Sequence, residues 1–131
     1  MKKTLLVAGI IVVAGVVIFF SAIHVWNGIT VRMNIDLARE ATQGSAEEAL
    51  IAMLKDSTRS PYVRTHTAIW TLGQIRSEKA LPVLEGLYKD DPDGITCYGK
   101  HDSLLCQYEI HKAIESIKKK RLFSHERLKK R

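Results

Sequence analysis

The chain of 131 residues is poor in cysteine, proline and aromatic residues: two Cys, three Pro, and 7% Phe, Trp and Tyr together. Two cysteines exclude a disulfide-dense scaffold. Their spacing, C-x8-C, lacks the second Cys pair or the His-x3–5-His that a zinc signature carries. No Cys-x-x-Cys-His occurs, which excludes the usual covalent haem attachment. There is no Gly-rich phosphate loop, no Ser/His/Asp order and no carboxylate pair that can be placed in a cleft. The sequence therefore offers no catalytic residue, metal ligand set or cofactor, and reads as a non-enzyme. Alternating strand patterns are also lacking, which leaves an all-α class.

What the chain does have is one long apolar run. Leu5 to Ile23 is 19 residues without a charge, and 22 if taken to Trp26. As a helix that is about 33 Å, the thickness of a bilayer core. Lys2 and Lys3 flank one end, and Trp26 suits the interface at the other. A cleaved signal peptide would need a shorter run and a small-x-small site; Phe20-Ser21-Ala22 puts a bulky side chain at a small position. A buried core helix apolar on all sides would need a larger protein than the remaining residues provide. Residues 1–27 thus read as a transmembrane anchor. Within it Ala8, Gly15 and Ala22 recur every seven residues, a small-residue stripe suited to packing on another membrane helix. The Lys2/Lys3 bias places the N-terminus in the cytoplasm and the rest of the chain outside it, as in a single-pass protein of a bacterial inner membrane with a periplasmic or extracellular domain.

The net charge of +6 is unevenly distributed. Residues 118–131 hold eight Lys/Arg and one Glu, +7, whereas residues 1–117 hold twelve Lys/Arg and thirteen Asp/Glu, −1. With basicity confined to the end, the folded part gives nucleic acid no basic surface. The basic tail, residues 122–131, suits anionic lipid headgroups, and the same charge would also suit nucleic acid or an acidic protein surface.

After Asn27-Gly28, read as a turn that ends or kinks the anchor, residues 28–44 form a juxtamembrane helix. It has two apolar stripes, Val31/Ile35/Ala38/Thr42 and Met33/Leu37/Ala41, which predicts neighbours on both sides. Ser45-Ala46-Glu47-Glu48 is a capping box for a helix over 46–55. Ser60-Pro61 opens the next, to about Ile75, by an N-cap Ser and N1 Pro. Ser77 is expected to cap a helix ending near Asp90. A last helix is expected from about Ser103 to Arg121, with Ile110, Ile114 and Ile117 inward.

These helices repeat. ALIAMLKD at 49–56 aligns with VLEGLYKD at 83–90, and VRTHTAIWTLGQI at 63–75 with LCQYEIHKAIESI at 105–117, at offsets of 34 and 42. Ala68, Leu72, Gly73 and Ile75, followed by Ala80, Leu81, Pro82, Leu84, Leu87 and Asp90, resemble the HEAT repeat in the short form also found in bilin-lyase-like proteins. The resemblance implies a short α-solenoid of about two helix hairpins over residues 45–121, and protein–protein interaction as its use. Val63-Arg64 sits one residue further from Leu-Gly than the family's Val-Arg pair. Pro82 falls early in its helix, where it is tolerated, and Gly86 is expected to permit close approach of a neighbouring helix.

An α-helical wheel puts Arg64, Ala68, Leu72 and Ile75 on the core face and Val63, His66 and Trp70 opposite, either a protein-docking surface with Trp as hot spot or a second face packed on the helix at 31–43 or on the last helix. Cys97 and Cys106 are expected to form a disulfide if the domain lies outside the cytoplasm. The function expected is a membrane-anchored docking or scaffold protein, an accessory subunit bound to a larger membrane-complex subunit. The alternative is a ligand-handling protein of the bilin-lyase-like kind.

Overall fold

The computed structural model describes residues 2–119 and Leu128, with side chains from Leu6 onward; the basic tail otherwise lies outside the described residues. The described residues are helical with no strand. Contacts divide the chain into two units, Met1–Thr30 and Val31–Arg131.

Helix α1, Lys2–Arg39, runs uninterrupted through Asn27-Gly28. Gly and Asn disfavour a helix interior by only about 0.7–1 kcal/mol each, and neither Pro nor a second Gly adds to that cost nearby. The expected break is therefore absent. Within the first unit every side chain from Leu6 to Trp26 is exposed. The helix is long and apolar enough to cross a membrane.

In the second unit Val31, Ile35 and Ala38 are buried in the core, while Met33 and Leu37 are exposed. Only one of the two apolar stripes is covered, and residues 31–39 contribute to the packed unit. Helix α2, Ala46–Lys55, starts at the expected capping box: Ser45 Oγ accepts from the Glu48 N–H, and Glu48 accepts from the Ser45 N–H. That backbone hydrogen bond, with the Ser45 hydroxyl and Lys79, holds the Glu48 carboxyl below its ordinary pKa. The box therefore stabilises the helix start above the ordinary carboxylate range and is lost as pH falls through the lowered value.

The next helix is built in three parts: α3, Pro61–Val63, a π-helical stretch, Arg64–Ile69, and α4, Trp70–Ile75. The Trp70 N–H reaches back to the Thr65 carbonyl, five residues earlier. A π stretch takes in one more residue than an α-helix of the same span. It thus absorbs the one-residue excess between Val63-Arg64 and Leu72-Gly73. Arg64 consequently keeps a structural position, its Nε donating to the Leu54 carbonyl at 2.8 Å and tying the end of α2 to this helix.

α4 ends in a left-handed residue, Arg76, with the Ser77 N–H bonded to the Leu72 carbonyl. This is a Schellman-type stop. Ser77 is consumed by it: its side chain caps nothing and is buried. A 3-10 turn, Glu78–Ala80, leads into α5, Leu81–Leu87, with Pro82 in the first turn as expected. α5 is shorter than the predicted helix because the chain turns extended at Tyr88.

The last helix, α6, is Gln107–Lys118, starting four residues later than expected because residues 100–104 close a turn of their own. Ile110 and Ile114 are buried, and Ile117 packs against the core. α4 makes its most extensive contact with α6, and α5 also packs on α6.

The two informative glycines are Gly73 and Gly86. A Cβ at Gly73 would lie 3.0 Å from Ala113 Cα and 3.2 Å from its Cβ, so Gly73 is what lets α4 approach α6. Gly86 is exposed, and a Cβ there would meet nothing within 4 Å. The close approach expected of Gly86 belongs to Gly73. Gly86→Ala should therefore stabilise by up to about 1 kcal/mol through helix propensity alone, read as a raised urea midpoint; a loss of stability would show an unseen contact.

Candidate functional site

Three sets of residues have a place here. The first is the expected docking trio. Val63 is half-buried, His66 exposed, and Trp70 half-buried against the core. Trp70 lines a small cleft of about 50 Å³ with Gly73 and with Glu109, Lys112 and Ala113 of α6. His66 lies beside Tyr62 with the rings tilted at 48° and their centroids 4.3 Å apart. The trio does not form one outward face. A wheel of about 100° per residue assumes α geometry throughout; the π stretch between Val63 and Trp70 offsets the two by roughly one residue, on the order of 100°. The core set of the same wheel holds where it lies within or next to α4: Ala68, Leu72 and Ile75 are fully buried. Thr65 and Thr71, polar and absent from that set, are buried too. Each hydroxyl has a partner: Thr71 Oγ1 accepts from Asn34 Nδ2 at 2.8 Å, and Thr65 Oγ1 from the Cys106 N–H at 3.2 Å.

The second set surrounds the cysteines. Cys97 and Cys106 are buried thiols with their sulfurs 2.9 Å apart. The Cys97 thiol also contacts the Gly94 carbonyl at 3.2 Å. Burial, then the hydrogen bond from Cys97, raises the Cys106 thiol above its ordinary pKa. Asp91 shapes the loop that delivers Cys97: its carboxylate accepts from the Ile95 and Thr96 N–H groups and the Thr96 hydroxyl. Gly94 is left-handed, φ 68°, and a Cβ there would stand 2.8 Å from Tyr108 Cβ and 3.2 Å from the Cys97 sulfur. His101 brings a ring nitrogen to the same spot; its atom and the two sulfurs all lie within 4.8 Å of one another. Gln107 secures the other side of the loop, accepting from the Lys89 N–H at 2.8 Å and donating to the Leu87 carbonyl at 3.3 Å. Sequence reading found the cysteines but not His101, Asp91 or Gln107. A Cys-x3-His-x4-Cys order was the signal to be had.

The third set is the stripe Ala8, Gly15 and Ala22 in the first unit. All three are exposed, and nothing lies within 4 Å of a Cβ built on Gly15.

No curated protein and no solved structure matches the chain. Residues 33–96 match the family model of HEAT repeats, a stretch that runs from the buried part of α1 through the π-containing helix and α5, and that supports a HEAT-repeat domain here.

Proposed function

We propose that this chain is a single-pass membrane protein whose HEAT-like unit docks a protein partner, as an accessory subunit of a larger membrane complex. The observation that carries the proposal is the apolar helix from Leu6 to Trp26, exposed along its whole length, in a chain whose residues 33–96 match a protein-interaction repeat. A stretch of apolar surface that long is costly in water and suited to a bilayer. The stripe Ala8, Gly15 and Ala22 would meet a helix of the partner. Val63, His66 and Trp70 would supply contacts in the domain, His66 from the exposed surface and Trp70 from the rim of its cleft. The basic tail would meet anionic lipid.

A bilin-lyase-like role gains no support from the cleft beside Trp70, whose roughly 50 Å³ is far below the ~300–1,000 Å³ of small-molecule pockets. Purification of the full chain in a mild detergent tests the docking role. A protein partner at fixed stoichiometry is expected, and lost on Gly15→Leu; a monodisperse lone chain would contradict it.

Orientation follows from Lys2 and Lys3, with the domain outside the cytoplasm. Alkaline phosphatase fused after Arg131 should therefore be active. An inactive fusion, with a fluorescent cytoplasmic reporter at the same site, would reverse the topology.

A further inference from the structure

We propose that Cys97, His101 and Cys106 form a binding site for zinc, with the two sulfurs as thiolates, the imidazole as third ligand and water in the fourth position. Three observations converge on it. The ligating atoms of the three side chains lie within 4.8 Å of one another, and the sulfurs are 2.9 Å apart. Tetrahedral ligands at bond lengths of about 2.0–2.3 Å stand roughly 3.3–3.8 Å from each other, so small side-chain rotations suffice. The second observation is His101 Nδ1, which is buried and has no hydrogen-bond partner. A disulfide between Cys97 and Cys106 would engage the two sulfurs alone; a metal ion engages all three groups. The third is that the loop is built to hold this geometry. Asp91 fixes its first turn, Gly94 clears space beside the Cys97 sulfur, and the Cys106 N–H is held by Thr65 of the π stretch.

Two thiolates and one imidazole are a borderline-soft donor set, which suits zinc over magnesium or calcium. The charges balance: Zn²⁺ replaces two thiol protons, which leave to solvent, and the centre is electrically neutral. His66 stands outside the three-atom cluster, its ring centroid 6.2 Å from that of His101, and water takes the fourth position in the proposed site. The site closes the insertion between α5 and α6, where a metal crosslink would order a segment with few core side chains.

The proposal is independent of the docking reading, and it takes the place of the disulfide expected of a domain outside the cytoplasm. It is tested on the full chain purified in detergent under reducing, anaerobic conditions, loaded with Zn²⁺ and dialysed. One zinc per chain is expected, with both thiols shielded from a disulfide reagent until a chelator is added. Co²⁺ in its place should give a thiolate-to-cobalt charge-transfer band. Cys97→Ser and His101→Ala should each weaken zinc by more than the ~10–100-fold that loss of an outer-shell partner costs. His101→Ala, in a loop, should keep its circular dichroism, so that metal loss is not unfolding. A reduced, zinc-supplemented chain without stoichiometric zinc would overturn the site, as would His101→Ala binding zinc as tightly as the parent. So would a Cys97–Cys106 disulfide in the chain as isolated that, once reduced, takes up no zinc.

Discussion

Gly73→Ala should destabilise the helical unit by about 1–3 kcal/mol, the usual range for overpacking a tight core. The added methyl would arrive 3.0 Å from Ala113 Cα, which is backbone and cannot rotate aside. α6 would have to move off α4, against the most extensive helix contact in the unit. The Ser116 hydroxyl, which donates to the Gly73 carbonyl at 3.0 Å across the same contact, would be strained with it. Helix propensity pulls the other way, by about 1 kcal/mol in favour of Ala, so the net destabilisation understates the packing clash by about that amount. The urea midpoint should fall with an unchanged slope. A midpoint that rises, as expected for Gly86→Ala, would mean that α4 and α6 are further apart than described.

Trp70→Ala should lower stability by about 2–3 kcal/mol, below the ~3–5 kcal/mol of a fully buried aromatic truncation, because the ring is half-buried against the core and α6. If Trp70 also contacts the partner, affinity should fall by ~2 kcal/mol or more, about 30-fold, as at hot spots. The two effects separate when binding is measured at a temperature where mutant and parent are both folded. Partner binding retained at full strength, with stability lost, would make Trp70 a packing residue alone.

Where local chemistry decides the structure, the sequence was readable. Ser45 and Glu48 form the capping box that starts α2, and Ser60-Pro61 opens α3 with the Ser60 hydroxyl accepting from the Val63 N–H. Leu72 and Ile75 in α4 and Ile110 and Ile114 in α6 form the core as the 3.6-residue period requires. The misreadings share a cause: each depends on a through-space arrangement that spacing does not encode. The π stretch displaced Val63 from the face of Trp70, and nothing in Arg64–Ile69 announces i→i+5 bonding. Gly73 and Gly86 look alike in the sequence, and only Ala113 distinguishes them. Ser77 has the chemistry of an N-cap but is taken up by the left-handed stop at Arg76. His101 comes within reach of the cysteines through the loop that Asp91 and Gly94 shape around Cys97, which spacing alone does not encode.

The measurement that bears most directly on the account is the intact mass of the chain recovered from carbonate-washed membranes. A retained anchor predicts that the full sequence, with residues 1–27 in place, stays in the washed membrane fraction and comes out only with detergent. A chain found in the soluble fraction with its mass cut back to a start beyond Ala22 would contradict it, and would make the apolar helix a signal peptide.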